Sequence, residues 1–412
     1  MKKILIFSIP PINKNSNNTF ELLFKNLKGQ LDLSFLCCRD GKNDSDVFKK
    51  IYRLSEKKAY KSIFNSKIDV FEKLGSDNVD DELEIYSNNK HFHNIKRIGR
   101  DLLWGLSKWK KSSLYSFLKR ENFDYIVAPN ENSHYYLNIL NYICKKTKAK
   151  LILYTWDDNF TFKQRQISPL FFFYRLVTRI KLLTISKKYA YKHLSISKKT
   201  KDEADAFFES NSIIIKKSIS EVLPSKKKVN NETLRMIYAG NLLNGRDKTL
   251  CKLASLLNKC SFSDNVVIDV YTKNVSKNIK RIVQNNHNIR IHDSIDHCHL
   301  ITEESSSNIG LMLESLSWTK SRISRLSIST KFTDYISAEL PILAIMDTNS
   351  ATSLEIQQNQ LGLVAHTKKE IISALHKIIN KENLKLYEAG IHRYKQDNLP
   401  NKQDSIVNQL FE

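Results

Sequence analysis

Short apolar runs alternate with longer amphipathic segments along most of the chain. In the first half, four apolar runs predict buried strands, at residues 4–9, 33–37, 125–128 and 151–154. Between the last two runs, residues 136–146 carry apolar side chains at spacings of three and four, which predicts an amphipathic helix. A strand, a helix and a second strand in this order form a βαβ unit, which requires a parallel sheet.

The alternation resumes after a polar, lysine-rich stretch at residues 226–232, which we interpret as a linker. Beyond it we predict strands at residues 234–239, 266–271, 289–291, 309–313 and 341–344, and helices at residues 247–258, 275–284, 331–338, 369–380, 384–394 and 404–411. Two α/β halves predict a doubly wound, two-domain plan. We expect domains at residues 1–225 and 226–385, and terminal helices at residues 386–412 that could return to the first domain.

The bulk composition agrees with two domains and says more about partners than about fold. The 412 residues include 66 basic and 43 acidic ones, which leaves a formal charge of +23. Nucleic acid, an anionic membrane and anionic small substrates would all suit that charge. The six cysteines show no CxxC pair or disulfide spacing, and the first apolar run is too short for a signal peptide. We therefore expect a cytoplasmic protein.

Several common nucleotide and metal signatures are missing or fall in the wrong context. The sequence has no G-x-G-x-x-G and no P-loop lysine motif, which counts against dehydrogenases and kinases. Residues 44–46 spell the DxD of metal-dependent transferases, but they lie in a polar loop with no buried strand leading into it. The Asp-His-Cys-His run at residues 296–299 is contiguous, so alternate side chains diverge. We expect a metal site at neither position.

The segment at residues 329–344 carries the strongest chemical signal. Ser329 or Thr330 is expected to cap a helix whose first turn holds Lys331 and Asp334, which lie three apart and share a face. Free amide groups, the positive end of the helix dipole and the Lys331 charge together suit a diphosphate. Asp334 is placed to accept hydrogen bonds from ribose hydroxyls. The alternative is a surface ion pair on an ordinary helix.

A second segment, at residues 236–250, predicts a strand, a short loop and a helix. The strand ends at Gly240, which permits close backbone approach, and Arg246 opens the helix, where its guanidinium can fork onto phosphate oxygens. A solvated arginine is the alternative, although a cation at a helix start opposes the helix dipole. Glu314 ends the strand predicted at residues 309–313 and could face the donor sugar.

These two segments resemble the C-terminal domain of retaining GT-B glycosyltransferases, namely family 4 and its relatives in bacterial polysaccharide synthesis. Gly240 and Arg246 match a glycine of the family and the lysine six residues beyond it, whereas Asn241 stands where an arginine is usual. Asp334 matches the second glutamate of the Glu-x7-Glu pattern, and Leu326 occupies the place of the first. The resemblance implies a GT-B fold, with two Rossmann-like domains whose parallel sheets face each other across a cleft.

Two segments of the first half extend the resemblance. Residues 194–208 resemble the family's last N-domain strand, after which a serine begins a helix. Residues 153–159 resemble a strand end where the family often has His-Asp, and Trp156 and Asp157 take those places. Asp157 would meet the acceptor, and Asp158, which points to the other face, could cap a helix. A polar turn after a strand is the alternative.

The resemblance implies a hexosyltransferase that uses neither a cofactor nor a metal. It would transfer a sugar from a UDP- or GDP-sugar to a glycan or lipid-linked glycan, with retention, in capsule, exopolysaccharide or O-antigen synthesis. Its donor-binding residues would be Gly240, Asn241, Arg246, Thr330, Lys331 and Asp334, and its catalytic residues Asp157 and Glu314. The alternatives are a GT-B nucleotide-sugar epimerase and a non-catalytic module that binds nucleic acid or a membrane.

Basic and aromatic residues are concentrated in two stretches. Residues 163–201 contain eleven Lys or Arg and no Asp or Glu, and residues 96–120 contain eight basic residues and one acid. The second stretch also holds Trp104, Trp109, Tyr115 and Phe117. This combination suits contact with an anionic membrane surface, which would place the protein peripherally on the inner membrane face. RNA binding and a solvated lysine-rich surface are the alternatives, and we do not expect nucleic acid as a partner.

Overall fold

A computed structural model describes residues 1–13, 19–74, 90–164, 168–217, 219, 233–259, 265–273, 275, 277–284 and 286–411. The chain divides into two compact units. Unit 1 consists of Met1–Phe162, Gln166–Lys217 and Gln403–Glu412, and unit 2 of Lys163–Arg165 and Ser218–Lys402. The linker predicted at residues 226–232 lies outside the described residues.

Unit 1 is built on an eight-stranded sheet with the order β4-β3-β2-β1-β5-β6-β7-β8. Its strands are β1 (Lys3–Ser8), β2 (Asp32–Cys37), β3 (Lys50–Leu54), β4 (Phe71–Lys73), β5 (Tyr125–Pro129), β6 (Lys150–Thr155), β7 (Ala190–Ser195) and β8 (Ile213–Ile214). Neighbouring strands are parallel except for β3 and β4. Its α-helices in the described residues are α1 (Thr19–Phe24), α2 (Glu56–Phe64), α3 (Lys90–Leu106), α4 (Leu114–Glu121), α5 (His134–Lys146), α6 (Pro169–Tyr189) and α7 (Lys198–Phe208).

The four strands and the helix predicted in the first half are confirmed, as β1, β2, β5, β6 and α5. Ile4, Leu5 and Ile6 have no exposed surface, because helices cover both faces of a parallel sheet. The pattern did not predict β3, whose apolar run is interrupted by Arg53. That side chain is buried between the carboxylates of Glu72, at 2.6 Å, and Asp40, at 3.5 Å. Partners distant in the sequence thus make a charged residue acceptable in a buried strand.

Unit 2 is built on a six-stranded parallel sheet with the order β11-β10-β9-β12-β13-β14. Its strands are β9 (Leu234–Ala239), β10 (Val266–Tyr271), β11 (Ile289–His292), β12 (Ile309–Leu313), β13 (Ile342–Ile345) and β14 (Gly362–Ala365). The helices that follow unit 1 in the chain are α8 (Arg246–Leu257), α9 (Lys277–Gln284), α10 (His297–Ser305), α11 (Thr330–Ser337), α12 (Ala351–Gln358), α13 (Lys368–Ile379), α14 (Leu384–Asp397) and α15 (Pro400–Gln409). The strands and helices predicted here are confirmed, whereas α10, α12 and β14 were not predicted.

The two terminal helices divide between the units. α14 packs in unit 2, where the ring of Tyr394 lies 5.6 Å from that of Phe332. α15 leads into unit 1, where the ring of Phe411 lies 5.2 Å from that of Tyr125. The Tyr125 hydroxyl also donates a hydrogen bond of 3.2 Å to the Phe411 carbonyl. The end of the chain is therefore part of the unit 1 core.

The strand order of unit 2 reverses between β9 and β12. In open α/β sheets, ligands bind outside the carboxyl ends of the strands at such a reversal. Tyr335 of α11 is buried beneath this point, and its hydroxyl donates to the carbonyls of Ile237, at 3.1 Å, and Leu311, at 3.0 Å. A Cβ on Gly310 would lie 2.4 Å from the Tyr335 ring, so a glycine is needed for α11 to pack this closely. The start of α11 is thereby held beside the ends of both strands.

Candidate functional site

Gly240, which follows β9, lies in contact with Lys331, the second residue of α11. Gly240 has a φ of +136°, a conformation that favours glycine, and its N–H donates to the Tyr271 carbonyl at 2.9 Å. A Cβ at this position would lie 2.8 Å from both Cε and Nζ of Lys331. The absence of a side chain at residue 240 therefore makes room for the ammonium group.

Arg246, at the start of α8, is held by polar groups from two loops. Its Nη2 and Nε donate to Oε1 of Glu314, at 2.7 and 3.2 Å, and its Nη1 donates to Oδ1 of Asn241 at 2.9 Å. The preceding residue, Gly245, has a φ of +94° and no room for a Cβ, which would lie 2.7 Å from Ser315 Oγ. Arg246 is thus a fixed and largely buried cation, in contrast to a solvated arginine.

The Lys331 ammonium lies 5.1 Å from the centre of the Tyr238 ring, within the range of a cation–π contact. Removal from water and repulsion by Arg246 together lower the pKa of Lys331 to about 8, although Glu314 and Asp334 attract its charge. Two cations therefore share a half-buried position with incomplete compensation. A bound anion would supply the missing negative charge.

The start of α11 differs from the expectation in one respect. Ser329 occupies the position before the helix, but its side chain makes no capping hydrogen bond, so the predicted hydroxyl cap is wrong. Instead, the Ser329 N–H donates to Thr352 Oγ1 at 3.3 Å, which fixes the entry of the chain into the helix. Thr330 is exposed at the first helical position. The Ser329 side chain consequently does not compete with a ligand for the first amide groups of α11.

Asp334 lies one turn beyond Lys331 and is half-buried. It has a neighbour that the sequence did not reveal, Glu304 of α10, whose side chain is 2% exposed. Burial, with a further contribution from the Asp334 charge, raises the pKa of Glu304 to about 9. Glu304 is therefore protonated at neutral pH. No motif distinguishes Glu304 from the other polar residues at the end of α10.

In unit 1 the two adjacent aspartates at the end of β6 have different roles. Asp158 is fully buried and accepts hydrogen bonds from the N–H and the hydroxyl of Thr161, at 3.0 and 2.6 Å. It therefore closes a turn, and the expectation that it caps a helix is wrong. Asp157 is half-buried near Glu131, which follows the neighbouring strand β5. Burial and the Asp157 charge raise the pKa of Glu131 to about 8, and Glu131 was not predicted.

The aromatic residues at 96–120 are mostly part of the core. Trp104, Trp109 and Phe117 are buried, and Trp104 stacks on Tyr135 with ring centres 4.9 Å apart. The prediction that these three side chains contact a membrane is therefore wrong, because they are buried within unit 1. Tyr115 is exposed. Among the described residues, no helix is both long and apolar enough to cross a bilayer.

The sequences that resembled metal sites have local structural roles. Asp296 caps α10 by accepting a hydrogen bond from the His299 N–H at 2.9 Å. In the loop at residues 44–46, Ser45 donates to Glu21 at 2.6 Å and the Asp46 N–H donates to the same carboxylate at 3.0 Å. Within the described part of the chain, no three His, Cys, Asp or Glu side chains converge to hold a metal.

Solved structures match the chain, whereas no protein-family model and no curated protein does. HepE from Anabaena, solved in complex with UDP and glucose, matches with a TM-score of 0.64 and 9% identity over 100% of this chain and 99% of that one. Sucrose-phosphate synthase from Thermosynechococcus elongatus gives 0.63 and 11% over 100% and 98%. WaaG, a glycosyltransferase involved in lipopolysaccharide biosynthesis, gives 0.59 and 10% over 99% of each chain. With two Rossmann-like units and this likeness, the chain has the GT-B fold.

Proposed function

We propose that the chain is a hexosyltransferase that moves a sugar from a nucleotide diphosphate sugar to a glycan or lipid-linked glycan, with retention. The contact of Lys331 with Gly240, beside Arg246 at the strand-order reversal of unit 2, is the observation that carries this proposal. Further support comes from the fold, which is similar to that of HepE in complex with UDP and glucose and to that of WaaG.

Leaving-group stabilisation is the main task of the donor site in this proposal. When the bond between the sugar and the diphosphate breaks, negative charge develops on the phosphate oxygens. Lys331, Arg246 and the first amides of α11 would stabilise that charge in a half-buried position, where electrostatic interactions are stronger than in water. Because these groups are fixed before the reaction, little reorganisation is needed. The two cations also supply the charge that a metal ion would otherwise bring, so we propose a reaction without metal or cofactor.

Four residues would orient the rest of the donor. Both hydrogen bonds that Arg246 donates to Glu314 go to Oε1, and Oε2 of that carboxylate would accept from a hydroxyl of the donor sugar. Asp334 would accept from the ribose hydroxyls. Its buried neighbour Glu304 carries a proton at neutral pH, so that the negative charge stays on Asp334. Asn241, the partner of Arg246, would hold the loop after β9 against the diphosphate.

The acceptor would bind to unit 1 at the ends of β5 and β6, where Asp157 and Glu131 lie close together. A carboxylate beside a carboxyl group whose pKa is raised, as that of Glu131 is, can accept hydrogen bonds from sugar hydroxyls while the protonated group donates one. The departing phosphate would take the proton of the attacking hydroxyl, so retention needs no separate base.

We further propose a cytoplasmic location at the inner membrane face and a role in capsule, exopolysaccharide or O-antigen synthesis. The net charge of +23 and the likeness to WaaG support this part.

A donor screen tests the proposed function. The purified chain is incubated with a panel of UDP- and GDP-hexoses, with and without a lipid extract that contains polyprenol-linked glycans, and products are identified by mass spectrometry. Release of UDP or GDP from one donor, with a hexose added to the lipid fraction, is the expected result. Proton NMR of the product then gives the anomeric configuration. If no donor is bound or consumed, the proposal is wrong, and an inverted linkage would overturn retention alone.

A further inference from the structure

Large apolar side chains are exposed in unusual number on two helices of unit 1. Leu106 of α3 is 66% exposed and Phe173 of α6 is 67% exposed, although such residues are normally buried. The exposed apolar residues of the two helices are Ile95, Leu102, Leu103 and Leu106 on α3, and Leu170, Phe172, Phe173, Leu176 and Ile180 on α6. A concentration of this kind marks a surface that meets something other than water.

Direct contacts join the two helices. The Tyr174 hydroxyl of α6 donates a hydrogen bond to the Asp101 carboxylate of α3, and the Arg97 guanidinium lies 5.5 Å from the centre of the Tyr174 ring. Leu102 follows Asp101 and Phe173 precedes Tyr174, so each helix has an exposed apolar residue next to this contact. We call the exposed apolar residues of α3 and α6 the α3–α6 surface.

The end of α2 extends this surface. The Lys108 N–H, just beyond α3, donates a hydrogen bond of 2.9 Å to Ser62 Oγ. This contact brings the end of α2 beside the end of α3. Phe64, the last residue of α2, is 92% exposed. Phe64 and Leu106, both exposed, each lie two residues along the chain from this hydrogen bond.

The charged residues of α3 and α6 themselves are positive except for Asp101. α6 contains no Asp or Glu, and Asp101 of α3 is bound to Tyr174 and to the Tyr135 N–H, at 2.8 Å. Exposed lysines lie along α3 and just beyond it, and at the end of α6: Lys96, Lys110, Lys111, Lys187 and Lys188. Apolar side chains bordered by cations complement the acyl chains and anionic headgroups at the surface of a bilayer.

We propose that the α3–α6 surface inserts into the headgroup region of an anionic membrane, with both helices in the plane of the bilayer. α6 has 21 residues, which gives a length of about 30 Å at about 1.5 Å per residue. The inference rests on the membrane location in the proposed function and identifies its physical basis. Leucines, isoleucines and phenylalanines insert, whereas the tryptophans of the same region remain in the core. Sugar transfer itself is not required for docking.

Flotation with lipid vesicles tests the inference. The full chain is mixed with vesicles of phosphatidylcholine, with or without phosphatidylglycerol, and floated on a density gradient. The parent is expected to bind the anionic vesicles and to keep part of its binding at high salt. The variant L102S/L106S/F173S/I180S should bind at least about tenfold more weakly, because four apolar insertions are lost. Since these side chains are exposed, its circular dichroism and melting temperature should match the parent.

Two control variants separate the contributions. Leu386→Ser removes an exposed leucine of α14 in unit 2 and should bind vesicles like the parent. Lys187→Ser with Lys188→Ser should weaken binding only to the anionic vesicles. Equal binding by the four-site variant and the parent would overturn the inference, as would a parent that binds no vesicles. So would a parent dimer that the four-site variant converts to a monomer in light scattering, because a second copy would then cover the surface. Vesicle binding without sugar transfer would refute the proposed function and leave this surface intact.

Discussion

The ammonium group of Lys331 lies where a side chain on Gly240 would be, 2.8 Å from the position of its Cβ. The two residues are 91 positions apart in the sequence, counted from 240 to 331, and meet because β9 and α11 end and begin at the same edge of the sheet. A half-buried cation with a lowered pKa, next to a residue that has no side chain, is suited to bind an anion.

Replacement of Gly240 by Ala should weaken binding of UDP or GDP, whichever the parent binds, by about tenfold or more, since displacement of Lys331 removes a charge-assisted hydrogen bond. Isothermal calorimetry measures this effect. Gly29→Ala is the matched control, because Gly29 also has a positive φ, +92°, but no atom within 4 Å of an added Cβ. Both variants should lose about 1 kcal/mol of stability from backbone strain. Equal nucleotide affinity in the two variants would show that the close contact between Gly240 and Lys331 does not determine nucleotide binding.

Lys331→Ala should lower the affinity for the same nucleotide by about tenfold to a hundredfold, the range for loss of a hydrogen bond to a charged group. The fold should remain intact, since the lysine makes no hydrogen bond to the protein core in the described residues. Lys369→Ala, at an exposed position of α13, is the control for a change of net charge. Unchanged affinity in the Lys331 variant would place the nucleotide elsewhere.

Nucleotide affinity and protein stability should respond to pH with opposite signs through Lys331. Its pKa in the free protein is about 8 and its ordinary value is 10.5, so the unfolded chain binds more protons than the folded one in this window. Stability from this group therefore rises as pH increases from about 8 to 10.5. A bound diphosphate restores the charge, so affinity should fall by about tenfold from about pH 7 to about pH 9.

Lys331→Arg provides the comparison for this pH dependence, because its guanidinium stays charged throughout the range. Titrations of both proteins at each pH remove any contribution from the nucleotide itself. Parallel pH profiles for the two proteins would show that Lys331 does not titrate in this window.

Glu304→Gln should remove a pH dependence of stability between pH 4.5 and about 9. The raised pKa means that the folded state retains a proton that the unfolded state has lost, so the parent loses stability as pH rises through this window. The glutamine imitates the protonated carboxyl and should unfold with a flatter pH profile in urea titrations. Glu388→Gln, at an exposed position of α14, should keep the parental profile. If the Glu304 variant also kept the parental pH profile, Glu304 would not be the group with the raised pKa.

Elements whose apolar residues follow a local period were predictable. β9 and α11 are examples, because a buried strand or a one-sided helix places its own apolar residues at regular intervals. α6 was not predicted as a helix, since its exposed face carries Phe173, Leu176 and Ile180 and its apolar residues surround the helix. β3 was missed for a different reason, because Arg53 interrupts its apolar run with a charge that the carboxylates of Glu72 and Asp40 make acceptable.

The residue types needed for an anion site could be read from the chain, but their pairing could not. Arg246 and Glu314 are separated by 68 residues, and no periodicity connects them. Likewise, the tryptophans at 104 and 109 have the composition of a membrane contact, and only packing turns them inward. The hydrophobic periodicity of a segment indicates which of its own residues are buried. The partner, protonation state and exposure of a polar or aromatic side chain depend on segments that folding brings from elsewhere in the chain.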